Sequence, residues 1–142
     1  MTKEESCALY ILLFEELSME RIDGIEDFVS VDIQFKDPFN ELSGLDAFRR
    51  LLVKTLNDVK DPKFQVTHRA WTDDVLFLRW SFQGEAKGLN HWGVQGMSEI
   101  RFDERGLVCK HIDHWDASEQ FYAKLPFIGT IIRLIRRRLQ VS

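Results

Sequence analysis

The chain predicts an α+β domain in which helices pack on one face of a curved antiparallel sheet. Three observations predict it. Apolar residues recur at helical spacing in the N-terminal part of the chain and again around residues 45–58. From residue 63 onward the apolar period falls to two through four successive segments. Turn-forming clusters at Thr72-Asp73-Asp74, Gly84–Gly88 and Asp103–Gly106 separate those segments.

Taken in order, Thr2 with Glu5 has the form of a capping box for a first helix reaching about Leu17. Its run from Cys7 to Phe14 is apolar almost all round, which predicts burial on several sides. A second, short helix is expected near Gly24 to Val29. Val31, Ile33, Phe35 and Asp37 then alternate with Asp32, Gln34 and Lys36, the pattern of a strand with one buried face, and Pro38 stops its ladder. Ser43 and Asp46 open the clearest helix, about Leu45 to Asp58. Its stripe is Leu45, Phe48, Leu51, Leu52, Leu56 and Val59, with Arg49, Arg50 and Lys54 turned away.

Asp61-Pro62 breaks the chain before strands at about Lys63–Thr72, Val75–Glu85, Leu89–Asp103 and Gly106–Trp115. Leu76, Leu78, Trp80 and Phe82 share one face; so do Trp92, Val94, Gly96, Ser98, Ile100 and Phe102.

The segment Gly106–Asp116 carries the strongest functional signal. At a period of two, Leu107, Cys109, His111, Asp113 and Trp115 point one way, and Val108, Lys110, Ile112, His114 and Asp116 the other. An imidazole and a carboxylate on a face that starts apolar are costly unless hydrogen-bonded or wet, so the pattern predicts a cavity with a polar floor. The chain has 11 Phe and 4 Trp, which suit either such a lining or plain core.

At 142 residues the chain is long enough for one domain with its own core. The net charge of −4 is uneven: residues 126–142 hold Arg133, Arg136, Arg137 and Arg138 and no acid, so residues 1–125 carry −8. An acidic body argues against general nucleic-acid binding. Cys7 and Cys109 lack metal-ligand spacing and no signal peptide is present, so a reducing, cytoplasmic setting is expected. No apolar run approaches the roughly 20 residues of a membrane span. No phosphate-binding loop, dinucleotide fingerprint, nucleophile elbow or catalytic-cysteine signature appears, and neither a cofactor nor a metal is expected.

Phe35-Lys36-Asp37-Pro38-Phe39, then Ser43-Gly44 opening a helix, then Ile100–Gly106 and the His111–Asp116 strand form a recognisable series. In order and spacing the chain resembles the nuclear-transport-factor-2-like superfamily, closest to its polyketide-cyclase-like (SnoaL-like) and steroid-isomerase-like branches. The resemblance covers roughly residues 5–122. It implies a cone: a strongly bent sheet wrapped against helices around a deep apolar cavity, commonly dimeric through the outer sheet face. Residues 1–125 would form the cone and 126–142 a basic amphipathic helix of the same domain. In the steroid-isomerase branch the carboxylate just before proline is the general base, and Asp37 falls there. The oxyanion-hole positions of that branch hold Leu13 or Phe14, and Ser98; Tyr10 lies one helical turn away. The cavity-lining positions of its last strand match His111, Asp113 and Trp115.

Each candidate has two readings. Asp37 is a general base, or it caps its own Asp-Pro turn. His111 and Asp113, roughly 6–7 Å apart along one face, are an acid/base pair or a structural one. Trp80, Trp92, Trp115 and Phe35 wall a ligand or fill core. Ser98 donates to a ligand oxygen or bonds back to its strand. Lys110, His114, Glu99 and Arg101 read as outer-face salt bridges or a polar dimer interface. In the tail, Phe127, Ile131, Leu134 and Ile135 make an apolar stripe widened by Ile128, Ile132 and Leu139, which suits a helix docked on the domain or on a second copy, or a lipid-surface contact.

The combined expectation is a homodimeric binder of a small apolar or aromatic, partly oxygenated molecule. It is either a cofactor-independent isomerase, cyclase or lyase, or a ligand-binding module without catalysis.

Overall fold

The computed structural model describes residues 1–86 and 88–141. Helix α1 (Lys3–Glu15) opens with the expected capping box: Thr2 Oγ1 accepts from the Glu5 N–H, and the Glu5 carboxylate accepts from the Thr2 N–H. It ends two residues short of Leu17. The second helical piece starts earlier than expected: α2 (Met19–Asp23) is capped by Ser18, and a single 3-10 turn follows at Ile25–Asp27. Helix α3 (Leu45–Asp58) has the expected bounds and inserts Phe48 and Leu52 into the core.

Among the described residues six strands form one sheet, β1 (Val29–Lys36), β2 (Glu41–Ser43), β3 (Val59–Thr72), β4 (Val75–Ala86), β5 (Leu89–Phe102) and β6 (Val108–His114), in the order β2-β1-β6-β5-β4-β3. The expected α+β architecture is present, with one correction: β1 runs parallel to β6, so the sheet is mixed and not wholly antiparallel. That pairing sets Phe35 beside His111, while Ile100 flanks His111 from β5.

Bulges bend the sheet and shift which residues face inward. Between β5 and β6, Phe102 pairs with Val108 and Arg101 with Lys110, leaving Cys109 as the extra residue. The simple alternation expected for this strand therefore fails at its start. Val108 is fully buried and Cys109 only half-buried; from His111 onward the expected faces return. A second shift, between Val29 and Gln34, leaves Val31 66 % exposed although its spacing placed it inward. Nor does Asp61-Pro62 delay β3. The strand begins at Val59, and Asp61 with φ of 50° takes up the irregularity between Lys60 and Lys63. As an edge strand β3 tolerates the proline's missing donor.

Helices α1 and α3 lie on the concave face, where Tyr10, Leu13, Phe48 and Leu52 meet Ile33, Leu76, Leu78, Ile100 and Val108. Two short elements, α4 (Ala117–Gln120) and a 3-10 turn at Tyr122–Lys124, lead to α5 (Ile128–Leu139). Proline 126 stands two residues before that helix. None of the helices among the described residues is long and apolar enough to cross a membrane.

Candidate functional site

Ser98 of β5 stands between Leu78 of β4 and Asp113 of β6, and Trp80, two residues along β4 and opposite Gly96, reaches Ser98 diagonally on the same face. Trp80 can lie flat across β5 only because Gly96 has no side chain: a Cβ there would stand 2.6 Å from the indole. The indole Nε1–H donates to Ser98 Oγ at 2.8 Å, and the Ser98 hydroxyl donates to Asp113 Oδ1 at 2.5 Å. His111 Nε2 lies 2.5 Å from the same Oδ1, and Tyr10 from α1 places its hydroxyl 2.6 Å from His111 Nδ1.

The directions of these bonds follow from the chemistry of the groups. An indole nitrogen only donates, so the serine hydrogen is free for the carboxylate. An ionised carboxylate only accepts, so His111 carries its hydrogen on Nε2. Nδ1 then accepts from the Tyr10 hydroxyl, which has no second acceptor among the described residues. Burial, reinforced by the charge of Asp113, holds the Tyr10 phenol well above its ordinary pKa, so it keeps its proton. Two internal chains thus converge on one oxygen of Asp113.

The imidazole is packed among rings, with Phe35, Tyr10 and Phe14 centroids at 4.8, 5.6 and 5.7 Å. His111 is only 4 % exposed and does not reach the pocket wall. Asp113 does. A pocket of about 310 Å³ lies between the sheet and α3, lined by Asp37, Asp113, Phe35, Trp80, Trp92 and Trp115 together with Phe14, Leu51, Leu52, Phe64 and Phe82. Its other polar groups are Asn40, beside Asp37, and Lys54, Thr55 and Asp58 at the C-terminal end of α3. Of the residues singled out in the sequence, Asp37, Asp113, Phe35 and the three tryptophans are brought together. His111 and Ser98 stand behind the wall, and Ser98 bonds neither outward nor back to its strand.

Asp37 shows the capping geometry. Its Oδ1 accepts from the Phe39 and Asn40 backbone N–H groups at 2.8 and 2.7 Å and from Asn40 Nδ2 at 3.2 Å. Burial raises its pKa above the ordinary 3.8, these donors pull it back, and the charge of Asp113 adds a smaller upward push. The two carboxylates share one pocket end.

Sequence reasoning passed over the closure of that end. Phe39 meets Trp115 and Phe121 at 5.4 and 5.1 Å, and Trp92 meets Phe121 at 5.6 Å while its Nε1–H donates to the Gln120 carbonyl. Phe121 follows α4, a four-residue helix too short to leave a periodic signal. Tyr10 did leave one: it is the polar tip inside an otherwise apolar helical run. On the outer face, His114 pairs with Glu99 at 3.0 Å, as its position implied. Among the described residues no three His, Cys, Asp or Glu side chains converge as a metal site.

Comparison with known proteins matches residues 12–111 to the model of the SnoaL-like domain. No curated protein matches the sequence. Solved structures share the fold at low identity. A nuclear transport factor 2-like protein of unknown function from Exiguobacterium sp. 255-15 aligns with a TM-score of 0.69 and 19 % identity, over 78 % of this chain and 98 % of its own. A protein with a ketosteroid isomerase-like fold from Catenulispora acidiphila DSM 44928, in complex with trimethylamine, gives 0.72 and 14 % over 89 % and 96 %. A candidate SnoaL-like polyketide cyclase from Shewanella denitrificans OS-217 gives 0.68 and 15 % over 86 % and 98 %.

Proposed function

Because this chain belongs to the SnoaL-like domain family, we propose that its pocket binds a small, flat, partly oxygenated molecule and moves a proton on it without a cofactor, as an isomerase, cyclase or lyase. One observation carries the reading: Asp113 presents a carboxylate to an aromatic-walled pocket while two buried donors hold its Oδ1 from behind. Such a carboxylate is pre-oriented, and its Oδ2 is left to take a proton from carbon beside a carbonyl. His111 is then a positioning residue acting through Asp113, not the base itself. Asp37, whose carboxyl burial pushes toward the protonated form, gives its own proton at a second position, and exchange with water then removes the proton from Asp113 and restores that of Asp37. Trp80, Trp92 and Trp115 stack the ligand.

Deuterium wash-in tests this. Incubated in D2O with flat cyclic ketones, the protein exchanges the hydrogens next to the carbonyl, read by mass spectrometry, and Asp113→Asn abolishes the exchange while tryptophan fluorescence still reports binding. Exchange that survives Asp113→Asn overturns the assignment. A specific observation supports a second reading, a ligand-binding module: the Asp37 carboxylate is already engaged by three donors of its own turn. Ligand binding with no exchange in the wild type decides for it.

The wider setting we propose is a reducing cytoplasm, where the two free thiols stay reduced. There the chain forms a homodimer through the outer sheet face and makes a membrane-surface contact through its basic C-terminal helix.

A further inference from the structure

Helix α5 is turned the opposite way from a helix that covers its own domain. Gly129 is buried against the Ala123 carbonyl, where a Cβ would come within 2.5 Å, and Arg133 Nη1 donates to that same carbonyl at 2.6 Å. The small and polar side of the helix is thereby clamped to the 3-10 turn before it. The apolar side points away: Ile128, Ile131, Leu134 and Ile135 are 50–58 % exposed and Leu139 79 %, with Phe127 at 87 % just ahead of them.

At about 100° per residue, the exposed Ile128, Ile131, Ile135 and Leu139 fall within about 80° of arc, with half-buried Ile132 beside them on the clamp side and Leu134 about 60° beyond Ile131 on the other. Arg136 borders that arc on the clamp side, Arg138 flanks its other side between Ile131 and Leu134, and Arg137 lies behind. No acid occurs between residues 126 and 142. A 12-residue helix is marginal in water on its own, so an apolar stripe this exposed calls for a covering surface.

We infer that α5 lays this stripe on an anionic lipid bilayer, with Arg136 and Arg138 reaching the headgroup layer and Arg137 adding its charge from the water side. The inference rests on the membrane-surface reading above and gives it a face, an orientation and a lipid charge. Arginines at both edges of an apolar arc suit the bilayer interface, where their stems stay apolar and their guanidinium groups reach phosphates. A second copy seated on the stripe would have to enclose Arg136 and Arg138 with paired acids. Arg133 is excluded from the headgroup set, because its guanidinium is spent on the clamp.

The test is co-sedimentation of the full chain with sucrose-loaded phosphatidylcholine vesicles, with and without about 30 % phosphatidylserine. Binding to the anionic vesicles is expected to be at least about tenfold stronger, and to weaken as salt rises to about 0.5 M. Arg136→Gln/Arg137→Gln/Arg138→Gln should reduce it to the zwitterionic level, and Ile131→Asp/Ile135→Asp should abolish it; urea denaturation controls for folding of each variant. No pelleting with either vesicle overturns the membrane reading as well as this inference. Strong binding that both variants retain leaves the membrane reading standing and overturns the assignment to α5. Equal binding to both vesicles overturns the anionic preference. A dimer that Ile131→Asp/Ile135→Asp dissociates, without vesicle binding, overturns it in favour of a second copy.

Discussion

At the pocket floor, polar groups from α1, β4, β5 and β6 sit among apolar side chains, and each finds its partner inside the fold. Along α5, apolar side chains stand in water and find none. Both regions depart from the usual partition of polar and apolar residues, in opposite directions. The floor is over-determined: Asp113 is held by His111 and Ser98, and those in turn by Tyr10 and Trp80. The helix is clamped at its start, to the 3-10 turn before it and chiefly at the Ala123 carbonyl. The first arrangement fixes a carboxylate at a pocket wall whether or not a ligand is present, whereas the second leaves an apolar stripe exposed.

If the floor is a mutually dependent unit, breaking it at its centre should cost most. His111→Ala removes a ring that is 4 % exposed and strips Tyr10 and Asp113 of their partner. We expect a loss of about 3–5 kcal/mol in urea denaturation, the sum of a cavity and an orphaned buried donor, the Tyr10 hydroxyl. A loss below about 1 kcal/mol would mean that water replaces the imidazole and that the floor is looser than its geometry implies.

Gly96→Ala attacks the same unit through packing. The new methyl group meets Trp80 at 2.6 Å and the His114 carbonyl at 3.1 Å, so the indole must leave Ser98. The expected cost is about 1–3 kcal/mol, with displacement of Trp80 toward the pocket and weaker ligand binding by tryptophan fluorescence. Unchanged stability and binding would show that Trp80 is free to move and does not fix Ser98.

The coupling between the two carboxylates is a smaller effect. Asp37 has a raised pKa in the folded chain, so between 3.8 and that raised value the folded state keeps a proton that the unfolded chain has released. Its stabilising contribution is complete below 3.8 and is lost as pH rises through the folded value. Asp37→Asn, which preserves an acceptor for the turn, should therefore gain stability relative to wild type as pH is raised over that window. Asp113→Asn should lower the Asp37 pKa, read by carbon NMR of the carboxyl group, because the Asp113 charge is one of its upward causes. An unmoved titration would place the carboxylates too far apart to share a ligand.

The order in which the sequence became readable follows the same contrast. Period two sufficed to bring Asp37, Asp113, Phe35, Trp80, Trp92 and Trp115 to one wall, because a strand's alternation is local. It failed where register is set by a partner strand: the bulge at Cys109 turns Val108 inward, and the parallel pairing of β1 with β6 joins residues more than seventy positions apart. It also missed what encloses His111. Tyr10 is 101 residues away, and no spacing within β6 announces that its hydroxyl will occupy Nδ1 and leave Asp113 as the group at the wall. The three-residue β2 and four-residue α4 were too short for any period.

The smallest expected effect is the one that separates the two regions most sharply. Ile131→Ser/Ile135→Ser removes two isoleucines from α5, the same class of change that costs several kcal/mol in a core. Here both side chains are more than half exposed and neither packs against the core cluster. In water, without lipid, the double variant should stay within about 0.5 kcal/mol of wild type in urea denaturation. A loss comparable to that of His111→Ala would mean that the stripe is buried in solution, either by a second copy or by a different seat of α5 on its own domain. Repeating the measurement over a hundredfold range of protein concentration distinguishes those two, since only association makes stability depend on concentration.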